Sequence, residues 1–317
     1  MPALTGLGSG IMLGAETTYG TAVARTVSRP VRSVALQTNL EQTAVPDLYS
    51  GTAATSRRHH KARTTSGGSV SLVLAYDAMG LILKSALGAA ATTGTGPYTH
   101  TYTLANALPS LTIDVIRGNS TNGEIFEGCI INTLTLSGSP GDVVTCDLDI
   151  IAETSAARSS AATLSITEKA IVLGSNAGQF GFGGNNNDLS SFRLTVNNNV
   201  ERRPTLGSLT TAEPNRSGNM SVTMEVTLAC VGLNNDTFLA AQLADTNGDA
   251  TITFTSAATS DRSLAITLHN AWIESATDPV NDAGVITQSL VLRGESDGTD
   301  LGLKIVAING NSSAIGN

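Results

Sequence analysis

Aromatic side chains are scarce in this 317-residue chain: they make up 4% of it, with one tryptophan, Trp272. That counts against a two-domain carbohydrate-binding or adhesion module, the main alternative for a β-rich chain, because such sites rest on exposed rings. Histidines number only four, His59, His60, His100 and His269, and none has a zinc-like spacing. The three cysteines, Cys129, Cys146 and Cys230, are an odd count without paired spacing. No basic, apolar leader opens the sequence, so we expect a reduced cytoplasmic origin and not a disulfide framework. No apolar run approaches the roughly 18 residues of a membrane helix, so no membrane insertion is expected. Charged residues are only 14% of the chain, and the net charge is −8. That balance excludes stable nucleic-acid binding, which runs on Lys and Arg.

Catalytic signatures are missing too. There is no G-x-S-x-G, P-loop or dinucleotide fingerprint, so neither an enzyme nor a cofactor is expected. Gly174 to Gly184 is glycine-rich but lacks the strand-to-helix setting of a phosphate cradle. Asp245-Thr246-Asn247-Gly248-Asp249 begins like a calcium loop, yet Ala250 and Ser256 stand where Gly and Glu belong. A tight turn is the better reading. Asp147 and Asp149 share one face of a strand, opposite Val144, Cys146, Leu148 and Ile150. Paired acids can do acid–base work, but here they mark a solvated sheet face, as do Glu225 and Asp114.

What the chain does have is 41% apolar residues and 32 glycines, with abundant Ser, Thr and Asn. That mixture suits short strands and tight turns. It also carries an internal echo. Gly141 to Glu153 (GDVVTCDLDIIAE) resembles Ala283 to Glu295 (AGVITQSLVLRGE) at one constant offset. Val34 to Glu41 resembles Leu194 to Glu201, Ser66 to Ala75 resembles Ser217 to Thr227, and Ser110 to Val115 resembles Ser263 to Leu268. Ordered echoes of this kind predict a duplicated unit, and a duplicated sheet unit without catalytic chemistry predicts a building block.

Each half has the pattern strand, helix, strands. Asp77 to Gly88 reads as a short helix with Asp77 as N-cap, Gly88 as terminator, and Met79, Ile82, Leu83 and Ala86 as its apolar stripe. Asn235-Asp236 is placed to cap a second helix, Thr237 to Ala244. Residues 1 to 30 read as an extended arm, 42 to 68 as a long polar loop, and Thr154 to Ala162 as the linker. We therefore expect two tandem β-domains, 1–165 (arm plus first domain) and 166–317. Basic residues gather early, at Arg25, Arg29, Arg32, Arg57, Arg58, Lys61 and Arg63, which leaves the remaining body net acidic.

The stretch Gly14 to Ala22 (GAETTYGTA) resembles the start of tail tube proteins of long-tailed bacteriophages. Ser110 to Ile113, Gly128 to Leu136, Phe192 to Glu201 and the Glu213-Pro214 region resemble the rest of that family, so the likeness spans nearly the whole chain. The resemblance implies mainly β, sandwich-like tube domains, each with a short flanking helix, whose inner sheets join between subunits into a tube. It implies a structural virion protein, made in the host cytoplasm, whose rings stack around a lumen for DNA ejection. The tube protein of a contractile injection machine or gene-transfer particle would look much the same. The implied partners are further copies of the chain, a tape measure protein in the lumen, tail terminator and distal tail proteins at the ends, and DNA in passage. With two units per chain, a trimer forming a pseudo-sixfold ring is preferred. A hexamer with the second unit as outer decoration is the alternative. Asp114, Asp147, Asp149 and Glu225 are the lumen candidates. Arg57, Arg58, Lys61 and Arg63, with the 1–30 arm, are the candidates for contact between rings.

Overall fold

The computed structural model describes residues 5–44, 59–118, 121–165, 170–229, 234–258, 261–278, 286–298 and 301–315. The first half forms β1 (Gly10–Ala15), β2 (Val27–Pro30), β3 (Ser33–Val34), β4 (Gln37–Ala44), β5 (His59–Val73), α1 (Gly80–Leu87), β6 (Gly88–Thr93), β7 (Tyr98–Leu104), β8 (Leu111–Ile116), β9 (Gly123–Gly138), β10 (Thr145–Ala152) and β11 (Thr154–Ala157). The second adds β12 (Phe180–Phe182), β13 (Asn185–Asn187), β14 (Leu189–Asn197), β15 (Val200–Pro204), β16 (Thr211–Arg216), β17 (Ser221–Ala229), α2 (Asn234–Leu243), β18 (Gly248–Thr255), β19 (Ser263–Thr277), β20 (Thr287–Gly294) and β21 (Leu303–Asn309). The chain is mainly β, as its composition and alternation predict.

Alternation sets the strands. In β14, Phe192, Leu194 and Val196 are buried while Arg193 points out. In β17, Val222, Met224, Val226 and Leu228 are buried, with Thr223, Glu225 and Thr227 on the other face. Such a strand has one face for a core and one for water. α1 is buried except at Lys84. Gly88 ends it at φ 109°, where its N–H donates to the Lys84 carbonyl. Asp77 is not the N-cap: Met79 holds that position, and Asp77 is buried against Arg262 Nε at 3.1 Å. α2 begins at Asn234, ahead of the expected Thr237; the capping side chains assigned to Asn235 and Asp236 lie outside the described residues. Phe238 of α2 packs on Phe182, with ring centroids 6.0 Å apart.

One antiparallel sheet runs β4–β5–β10–β9–β14–β17–β20–β19, passing from the first half to the second at the β9–β14 pair. A second layer in the first half is β2–β1–β8–β9–β11. Its counterpart is β13–β12–β18–β19–β21–β7–β6. β9 and β19 thus serve both layers, changing sheet at bulges as corner strands do. The hairpin β6–β7, first-half by sequence, pairs with β21, so the halves interlock. The side chains between the layers form one continuous core.

The pairing registers repeat. In the first half Thr135 faces Asp147, Leu134 faces Leu148 and Ile131 faces Ile150. Equally spaced along the chain, Thr277 faces Ser289, Ala276 faces Leu290 and Ile273 faces Leu292. The residue left over in the first ladder is Asn132, and in the second it is its counterpart Glu274. Upstream, the break between Leu111 and Ile113 opposite β9 recurs between Gly248 and Ala250 opposite β19. Gly128 (φ 61°) and Asn270 (φ 47°) hold the left-handed conformation at that corner in each. The β5–β10 ladder begins with Val73 opposite Thr145; the β17–β20 ladder begins with Ala229 opposite Thr287. Side-chain identity has drifted while backbone pairing has not.

Four expectations are corrected. Gly10 to Pro30 is no arm: β1 and β2 form a hairpin docked on β8, with Ile11, Leu13 and Val27 buried. Of the loop expected at 42–68, residues 42–44 and 59–68 are strand, because β5 pairs with β4 as far out as Ala44 opposite His59, and 45–58 lie outside the described residues. Thr154 to Ala157 is strand β11 beside β9, and Arg158 is buried, so the linker starts later than expected. By register β8 corresponds to β18, so the echo between Ser110–Val115 and Ser263–Leu268 joins strands that are not equivalent.

Candidate functional site

The long sheet has a face of Ser, Thr and charged residues that is open to solvent except at its middle, where Thr135 is buried. Reading across the strands, Ser71, Asp147, Thr135, Thr195, Thr223 and Arg293 stand in register, as do Ser69, Asp149, Thr133, Asn197 and Ser221. Asp147 and Asp149 are exposed, and Asn132 Nδ2 donates to Asp149 Oδ2 at 3.3 Å. Glu225 is exposed on the same face, opposite Arg193. Three of the four lumen candidates are therefore brought onto one surface that crosses both halves.

Asp114 is not part of it. Its side chain is 0% exposed and pairs with the buried guanidinium of Arg158, while Arg25 Nη2 lies at 3.4 Å. Every residue of β8 is buried. The face that alternation assigns to solvent is covered by the chain around Glu16 to Arg25. The GAETTYGTA stretch supplies that cover. Glu16 accepts from the hydroxyls of Ser110 (2.7 Å) and Thr112 (2.9 Å) and from the N–H groups of Gly20 (3.1 Å) and Gly128 (2.9 Å). Gly20 sits at φ 71°, and a Cβ there would strike the Glu153 carboxylate. The motif is thus a clamp on β8 and the β9 corner.

Acid crowding beside this clamp has a measurable consequence. Burial, then Glu16 and Glu127, push the Glu153 carboxyl above its ordinary 4.5. Burial and then Glu153 raise the Tyr19 phenol. Because the folded state favours neutral Glu153, its contribution to stability is fully present below the unfolded value and is lost as pH rises through the raised one. A Glu153→Gln chain is expected to melt higher than the parent at about pH 7 and to match it below about pH 4. A melting difference that is flat with pH would contradict this.

Two hairpins extend from the base of the sheet. The outer part of β4–β5 is exposed on both sides, from Leu40 to Ala44 and from His59 to Ala62. The β15–β16 hairpin lies beside it: Thr64 N–H donates to the Leu209 carbonyl (2.8 Å) and Arg202 Nη2 to the Ser66 carbonyl (2.6 Å). Arg63 pairs with Glu41 at 2.9 Å and Lys61 is exposed; Arg57 and Arg58 lie outside the described residues. In the calcium-like segment, Asp249 accepts from the Asn270 N–H (3.3 Å) and meets His269 Nδ1 at 3.1 Å, which ties the β18 entry to the β19 corner.

Among the described residues the long sheet ends at β4 on one side and at β19 from Ile273 to Thr277 on the other, each hydrogen-bonded to one neighbouring strand, as edge strands are. The model of the phage tail tube protein family matches residues 6–294, and the chain belongs to that family. It is a structural component of the virion tail. No curated protein matches the chain. Among the described residues no helix is long and apolar enough to cross a membrane.

Proposed function

We propose that the chain is the major tail tube subunit, built from two tandem tube domains, and that its long sheet lines the lumen through which DNA passes. The observation that carries this reading is the β9–β14 pair. It continues the sheet of one half into the other and keeps Asp147, Asp149 and Glu225 on a single polar face. If one junction of this kind already exists within the chain, three chains close a pseudo-sixfold ring. A second unit acting as outer decoration would not extend the inner sheet, which favours the trimer over the hexamer. Acidic and hydroxyl side chains repel or slide past phosphates, and the arginines on the face stand beside acids, Arg193 opposite Glu225 and Arg293 with Glu274 and Glu295, so DNA passes without adhering. Closed rings end lateral growth, and head-to-tail stacking leaves axial growth open. The tape measure protein fills the lumen before DNA does. Tail terminator and distal tail proteins meet the free ends, and assembly takes place in the host cytoplasm.

Electron microscopy of the purified protein tests this. The expected result is stacked rings with a central hole, three chains per ring, and Asp147, Asp149 and Glu225 facing the channel. Compact monomers at high concentration, or a map that puts those three acids on the outer wall, would overturn it.

A further inference from the structure

Resting on that reading, we infer that β19 of one chain pairs antiparallel with β4 of the next copy, Ser275 opposite Asn39 and Thr277 opposite Gln37. The template is the junction inside the chain, where Thr133 faces Asn197 and Thr135 faces Thr195. The β9–β10 and β19–β20 ladders share one register, so Thr133 and Thr135 correspond to Ser275 and Thr277. The β5–β10 and β17–β20 ladders also share one register, so Thr65 and Gly67 correspond to Ser221 and Thr223. Their neighbours in the sheet are Asn39 and Gln37 in the first half, Asn197 and Thr195 in the second. The two terminal edges of the sheet therefore match the two edges that already meet at its centre.

Both edges carry marks of a missing neighbour. At the internal junction the Asn132 carbonyl accepts from the Asn198 N–H at 2.8 Å. At the terminal edge its counterpart, the Glu274 carbonyl, accepts among the described residues a side-chain N–H, from Gln242 Nε2 at 3.0 Å. In the proposed pairing the Leu40 N–H of the next copy takes that place. Asn198 also reaches the Ala86 carbonyl in the last turn of α1. Leu40, 42% exposed in the free chain, would lie at the corresponding turn of α2, where Leu239 and Leu243 are exposed, the latter at 80%. Apolar surface that is open on each partner becomes mutual cover.

Engineered cysteines test the register. A chain carrying Ser275→Cys with Asn39→Cys, assembled and oxidised with diamide, is expected to give covalent species up to the trimer on a non-reducing gel. The Ser275→Cys or Asn39→Cys chain alone is expected to give none. All of these chains carry Cys230→Ser; the native Cys129 and Cys146 are buried, and burial pushes the Cys146 thiol up to about 12, so neither competes. Thr133→Cys with Asn197→Cys, the internal equivalent, should close within one chain and leave the mass unchanged. Ser275→Cys with Gln37→Cys, a diagonal pair at about 7–8 Å, should bridge poorly. Rings or tubes that form without the covalent trimer, or that link the diagonal pair instead, overturn the register and leave the tube standing. Absence of rings from the parent chain overturns both.

Discussion

An Asp114→Ala chain is expected to lose about 3–5 kcal/mol of folding free energy, the cost of removing one partner from a buried ion pair. Asp114 lies at the centre of β8, between Met12 of β1 and Ile125 of β9. Its two oxygens meet Arg158 and Arg25, and the side chains of Asp114 and Arg158 are 0% and 1% exposed. Without the carboxylate, the buried Arg158 guanidinium keeps its charge in a low-dielectric site and loses the Asp114 pair. The damage extends beyond one pair, because Arg158 fixes the end of β11 and Arg25 fixes the segment that covers β8. Denaturant unfolding of parent and variant in the same assembly state measures the loss. An Asp114→Leu, Arg158→Met double variant, which removes both charges, should recover most of it. A loss below about 1 kcal/mol for the single variant would place Asp114 with surface ion pairs and contradict its structural role.

That residue also shows where the sequence misleads. In β8 the alternation of Leu111, Ile113 and Val115 with Thr112 and Asp114 is a sound strand signal, and the strand is there. Alternation separates two faces, but it does not say whether the polar face meets water or another segment. The cover is Glu16 to Arg25, almost a hundred residues upstream, and no local pattern records that contact. Asp147, Asp149 and Glu225 show identical alternation and do face solvent, because nothing among the described residues folds over that face of β10 or β17.

The strand ribbon at 59–68 was illegible for the opposite reason. Strand recognition rests on one apolar face, and His59 to Thr65 has none. The hairpin β1–β2 was obscured by its shortness and its polar flanks, although Ile11, Leu13 and Val27 are the apolar residues that dock it. The repeat was legible wherever sequence and register had both been kept, as from Thr145 to Glu153 against Thr287 to Glu295. It was obscured between β5 and β17, where the ladder equates Val73 with Ala229 and the sequence echo points to a different alignment. The junction that carries the functional reading, β9 with β14, joins distant segments through backbone bonds, and these leave no trace in side-chain type.

Replacing Thr43 to His60 with a two-residue Asn-Gly turn is expected to abolish tubes while leaving the fold intact. The described residues removed, Thr43, Ala44, His59 and His60, are all exposed, so their loss costs the core nothing. Two-stranded ribbons of this kind are marginal in water by themselves and persist where a partner receives them. The eight residues of β4 span about 26 Å at about 3.3 Å each, and most of that length stands clear of the core. The neighbouring β15–β16 hairpin holds the ribbon's base through Thr64 and Arg202, so the ribbon leaves the body in a fixed direction and not as a free loop. The proposed receiver is the next ring, where Lys61 and the basic residues before it would meet a net acidic body. Ion pairs of this exposed kind are weak singly and are screened by salt. Stacking should therefore also weaken as ionic strength rises. Sedimentation and negative-stain images of the shortened chain are expected to show rings or monomers, with the circular dichroism of the parent. Tubes of normal length from that chain would refute the assignment and move the axial contact to the β15–β16 tip, where Leu206 is fully exposed.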